Sequence, residues 1–154
     1  MEIASTLKVI EPATVQSGPG VIEGQKLQRI IGCKDSVAPA RLRLAIATYK
    51  PGAIEPLHWH PIEAAYFILS GNAIVRDIEG REYHVGAGTT IYAPAGIAGS
   101  HEWEVKDSLQ ILSIRGTPEA VRKLQFTVDK ETQRSYIDID ELAKRDGLSF
   151  TSHY

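Results

Sequence analysis

His58 and His60 flank a single residue, Trp59, and an H-x-H pair on an extended strand can chelate one metal ion. Side chains two apart on a strand point to the same face, so both imidazoles can aim at a common point. His101, which follows the loop over residues 94–100, is the third candidate donor. Imidazole is the commonest protein metal ligand and suits Fe, Zn, Cu and Ni. The pair alone is equally compatible with one buried, hydrogen-bonded histidine beside an exposed one. Tyr66 shares the parity of Ala64 and Ile68, so it should face the same interior, as a hydrogen-bond donor to substrate or as a core tyrosine. Arg76 keeps its charge under all relevant conditions and either pairs with a substrate oxyanion or is an exposed strand arginine. Trp103 shares the parity of His101 and is a candidate pocket wall or packing residue, and Gln110 a candidate hydrogen-bond donor behind the ligands.

These side chains need strands to position them, and strand signals dominate. Leu42, Leu44, Ile46 and Thr48 alternate with Arg43, Ala45, Ala47 and Tyr49, a period of two. Short strand-like runs follow at 65–70, 73–78, 81–85, 89–93, 101–105 and 108–114, punctuated by glycine or proline or by the pair Lys106-Asp107. Strands at this spacing predict a barrel or sandwich, and no strand–helix alternation calls for a doubly wound sheet. Residues 1–25 read as an irregular arm. Asp138 or Asp140 can cap a short helix over about 137–147, with Gly147 just past its end. A length of 154 residues fits one domain, 1–154.

The formal charge is -2, with acids and bases interspersed, so no basic face for nucleic acid or polybasic membrane patch is expected. No run of about 18 apolar residues exists, and the first residues lack the basic start and apolar stretch of a signal peptide. A reducing cytoplasm is the default location. The single cysteine, Cys33, forms no intrachain disulfide and reads as a small buried side chain. Neither a G-x-S-x-G elbow nor a phosphate loop occurs. Trp59 should point outward, under the arm or a partner subunit. His84 reads as a surface residue, His153 as part of the tail, and Glu102 and Glu104 as facing away from the metal.

The order of these residues resembles the cupin superfamily. Gly52, five residues, His58, Trp59, His60 and a closing Gly71 follow its first motif. Gly88, five residues, Pro94, Ala95 and Gly96 follow the second, with His101 arriving two residues late. The resemblance covers residues 40–116 and implies an all-β fold, the cupin double-stranded β-helix (jelly-roll barrel). It places the family's glutamate ligand at Ala64, which cannot bind metal; Glu63, one position away, would face the other side of a regular strand and ligates only if Pro61 shifts the register. This departure is similar to the three-histidine cupins that include the acetylacetone-cleaving dioxygenase. It implies a divalent metal on His58, His60 and His101, Fe(II) first and Zn(II), Ni(II) or Mn(II) as alternatives. Tyr66 and Arg76 would then act on a small β-dicarbonyl or hydroxyketone substrate. A non-oxidative isomerase, lyase or hydrolase, or a binding cupin without catalysis, are the other readings. A homodimer or higher oligomer is expected, with apolar positions of residues 1–31 covering a neighbouring subunit's sheet edge.

Overall fold

A computed structural model describes residues 4–32, 37, 42–116 and 125–135. The described residues form the strands β1 (Ser17–Pro19), β2 (Gln25–Ile31), β3 (Arg43–Tyr49), β4 (Ile54–Trp59), β5 (Ala64–Ser70), β6 (Asn72–Asp77), β7 (Glu82–Gly86), β8 (Thr90–Ala93), β9 (His101–Val105), β10 (Leu109–Arg115) and β11 (Phe126–Thr127). One sheet has the order β1-β2-β3-β10-β5-β8 and the other β11-β4-β9-β6-β7. Every paired neighbour is antiparallel. Strands remote in sequence, such as β3 and β10 or β4 and β9, lie side by side. That crossing between two sheets is the jelly-roll arrangement, and the all-β fold expected from the strand pattern is the one observed.

Alternation puts one side of each strand into a shared core that includes Ala47, Tyr49, Tyr66, Ile68, Val75, Trp103, Val105 and Ile111. On β3 the inward set is Ala47 and Tyr49, whereas Leu42 lies 45% exposed. Small inner residues on β3 and β5 leave volume for the rings of Tyr66 and Trp103. The turn from β5 to β6 depends on Gly71. Its φ is 83°, and a Cβ there would stand 1.8 Å from the Ser108 carbonyl oxygen.

The ends of the chain differ in part from expectation. Ser17–Pro19, within the supposed arm, pairs with β2 at the sheet edge, and β2 itself had not been singled out. Leu7 and Val9 are 83% and 80% exposed, so these apolar residues do not cover the barrel. After β10 the chain returns as β11, where Phe126 pairs with Trp59 and the rings lie 4.5 Å apart. Trp59 points away from the histidines, and its cover is Phe126 with Ser135, which accepts its indole N–H at 2.9 Å. Cys33, the helix proposed over 137–147 and His153 lie outside the described residues. Among the described residues no helix is long and apolar enough to cross a membrane.

Candidate metal centre

β4 and β9 bring the three histidines together. His58 stands opposite His101 in the ladder, and Glu55 opposite Trp103. Three steps along β4 match two along β9, so β4 carries one extra residue, a β-bulge. Pro56, with no N–H to give the ladder, lies inside it. His60 follows at the end of β4, and the two late residues before His101 are taken up by a 3₁₀ turn over Ile97–Gly99. Gly99 is required there, because a Cβ would meet the Pro94 carbonyl oxygen at 2.0 Å.

The imidazoles are buried, at 1%, 2% and 4% exposure for His58, His60 and His101. Among the described residues they form the cluster able to hold an ion, with their ligand atoms within 4.8 Å of one another. Nδ1–H of His58 donates to the Pro56 carbonyl at 2.7 Å, and Nδ1–H of His101 to that of Gly99 at 2.9 Å. Both bonds fix the tautomer that turns the Nε2 lone pair inward. Burial pulls His58 down to about 4 and His101 to about 3, so both rings stay neutral, as a metal ligand must. The donor set therefore fits a divalent metal.

A pH dependence follows from the same burial. The unfolded chain takes up protons on histidine near pH 6.5, while folded His58 resists until about 4. This contribution to stability is complete above pH 6.5 and disappears as pH falls towards 4. Urea unfolding of metal-free protein should show a loss on the order of 3 kcal/mol from His58 alone across that window. A flat profile between pH 7 and 4.5 would contradict the buried, neutral placement.

Tyr66 belongs to the centre. Its hydroxyl lies 3.2 Å from Nε2 of His101, and burial raises its pKa, keeping the phenol proton available to donate. Trp103 is 1% exposed and packs edge-on against Tyr66 with ring centres 5.5 Å apart. Glu63 is exposed and accepts the Tyr92 hydroxyl at 2.6 Å, whereas Ala64 faces inward and is 1% exposed. No carboxylate enters from that stretch. His84 is exposed, and Gln110 donates to Thr48 at 3.3 Å on the outer side of its strand.

The expectation for Arg76 is corrected. Ala73 and Val75 of β6 occupy the core, so Arg76 takes the opposite parity and lies on the outer face. There it meets Glu82 at 2.8 Å, Glu102 at 3.0 Å and Glu104 at 2.7 Å, while Lys130 also pairs with Glu102. These carboxylates raise its pKa further. Arg76→Met is expected to cost about 1 kcal/mol by thermal melting, as partly exposed networks do. Metal content by elemental analysis should be unchanged; a metal-depleted variant would restore Arg76 to the centre.

Sequence reasoning missed the arginine that does reach the histidines. Arg115 ends β10 directly opposite Ala64. Its Nη2 lies 3.3 Å from Nε2 of His60 and 3.5 Å from the Tyr66 hydroxyl. Counting by twos from buried Ile111 would have pointed to it. Glu55 was missed as well. It is 5% exposed, accepts the Tyr49 hydroxyl at 2.8 Å and the Gln125 amide at 3.2 Å, and approaches Nε2 of His58 at 3.7 Å. Pro56 inside a strand was its signal, since the bulge there reverses the parity counted back from His58.

The fold has relatives among solved structures. A polyketide cyclase, RemF of Streptomyces resistomycificus, superposes with a TM-score of 0.69 at 19% identity over 83% of this chain and 89% of that one. The DMSP lyase DddQ of Ruegeria pomeroyi DSS-3 gives 0.61 at 20% identity, over 80% of this chain and 61% of that one. Salicylate 1,2-dioxygenase of Pseudoaminobacter salicylatoxidans gives 0.55 at 11% identity, over 64% of this chain and 26% of that one. At such identities these likenesses carry the fold alone. No curated protein sequence matches the chain. The sequence over residues 45–115 matches the family described as Cupin domain. Over this stretch the chain is similar to the cupin domain family, and the two-sheet jelly-roll architecture is the fold it shares with these solved structures.

Proposed function

We propose that the protein is a metal-dependent cupin enzyme, a non-haem Fe(II) dioxygenase that cleaves a carbon–carbon bond in a small β-dicarbonyl or hydroxyketone. The observation that carries this reading is the pairing of three buried imidazoles with the Arg115 guanidinium, where the family motif would supply a carboxylate at Ala64. The site is thus strongly cationic once a divalent ion is held by His58, His60 and His101, and it favours a bidentate anion such as an enolate. Held by these three histidines, Fe(II) would supply redox chemistry with O2 and Lewis acidity towards the substrate oxygens. Arg115 orients the anion, Tyr66 offers a phenol proton to a substrate oxygen, and Trp103 keeps the floor of the pocket dry.

The test is oxygen consumption by Fe(II)-loaded protein against a panel of chelating β-dicarbonyls and hydroxyketones. Uptake of one O2 per substrate consumed is expected. No uptake with any member, together with zinc or nickel as the sole retained metal, would favour Lewis-acid chemistry on the same ligands. That second reading draws on two of the similar structures being named as a cyclase and a lyase.

A further inference from the structure

We infer that Arg43 joins Arg115 in a carboxylate-binding pair at the histidine end of the barrel, so that the substrate is a chelating dicarbonyl that carries a carboxylate of its own. This rests on the reading of the three histidines as a metal centre for a chelating dicarbonyl. Arg43 opens β3 and Arg115 closes β10, and the two stand directly opposite each other in an unbroken antiparallel ladder. Residues so paired project from the same face of the sheet, with Cβ atoms about 4.5–5.5 Å apart. That face is the inner one. Arg115 reaches Nε2 of His60 at 3.3 Å and the Tyr66 hydroxyl at 3.5 Å. Counted along β3, Arg43 has the parity of Ala45, Ala47 and Tyr49, which are 4%, 2% and 3% exposed. Both arginines are half-buried.

A second observation is the field at Tyr66, whose hydroxyl lies beside His101. Burial raises the pKa of this phenol most, and the charges of Arg115 and Arg43 both pull it the other way. Arg43 is thus near enough to act on the same hydroxyl that Arg115 meets. Each guanidinium keeps its charge and presents a planar fork that matches a carboxylate. Two like charges directly opposite each other on a sheet are destabilising, and an anion set between them reverses the sign of that interaction. Arg43 stands one strand beyond Arg115, counted from Ala64 on β5, and neighbouring strands lie about 4.7–4.9 Å apart. A dicarbonyl held at the histidines therefore meets Arg115 first, and a carboxylate attached to it extends towards Arg43.

The test compares two chelating probes on the Co(II)-loaded full chain by calorimetry at one pH. They are acetylacetone and 2,4-dioxopentanoate, in which a carboxylate replaces one methyl group. Wild-type protein should hold one equivalent of Co(II) and bind both. Arg43→Met should lower the affinity for 2,4-dioxopentanoate by about tenfold or more and leave that for acetylacetone unchanged. The ratio of the two affinities within one protein separates this from a general loss of structure, which would weaken both. Arg43→Lys keeps the charge without the fork, serves should the methionine variant not fold, and should lose part of the same selectivity. A ratio equal to that of wild type in either variant overturns the role of Arg43 and leaves the metal centre standing. Failure of wild-type protein to hold Co(II), or to bind either probe on it, overturns the reading of the centre and this inference with it.

Discussion

His101→Ala should abolish stoichiometric metal retention, lowering affinity by about 10²–10³. Sites built from four protein ligands have apparent binding energies of about 10–16 kcal/mol, so one donor accounts for roughly 3–4 kcal/mol. The ring at 101 is held from both sides, by the Gly99 carbonyl on Nδ1 and by Tyr66 at Nε2. No other described histidine stands near enough to replace it, since His84 is exposed on another strand. Elemental analysis of protein purified without added metal, with a chelator competition, reads the effect. A melting curve separates it from unfolding, because alanine leaves a cavity beside Trp103. A variant that still carries one equivalent of metal would mean that the imidazoles do not share an ion.

Arg115→Met should move two quantities in opposite directions. A guanidinium nitrogen 3.3 Å from Nε2 of His60 opposes a dication at that nitrogen. At an effective dielectric near 20, a single unit-charge pair at 4 Å is worth about 4 kcal/mol, so even strongly screened repulsion is felt. Methionine keeps most of the apolar stem and removes the charge, and metal affinity is expected to rise about tenfold. Loss of a charged partner to a bound anion commonly costs 2–5 kcal/mol, so kcat/KM for an anionic chelating substrate should fall about 10²–10³. Chelator competition and initial rates measure the two. Weaker metal binding with unchanged turnover would place Arg115 in a structural role and remove it from substrate binding.

These two residues differ in how far the chain itself announced them. His58, His60 and His101 could be found by reading, because a strand's period of two and the glycine and proline punctuation are local properties. The outward direction of Glu63, Glu102 and Glu104 followed from the same parity. Arg76 was chosen by its spacing within a resemblance, and its parity relative to Ala73 and Val75 sends it outward to three carboxylates. Arg115 takes the inward place because β10 lies against β5 and ends opposite Ala64. That pairing joins residues some fifty positions apart, and neither stretch specifies it alone.

By itself the amino-acid order determined an all-β barrel, the turns that close its strands and three histidines on one inner surface. The strands and the shared face of His58 and His60 follow from alternation along a strand, the turns from the backbone demands of glycine and proline, and the barrel and the place of His101 from the order of motifs that resembles the cupins. Only the tertiary structure decided which charges meet those histidines. A bulge at Pro56 swings Glu55 inward, the β10–β5 register brings Arg115 across from Ala64, and β11 returns to cover Trp59. The physical reason is that side-chain direction reverses with every one-residue change of register, and register is set between strands, not within them.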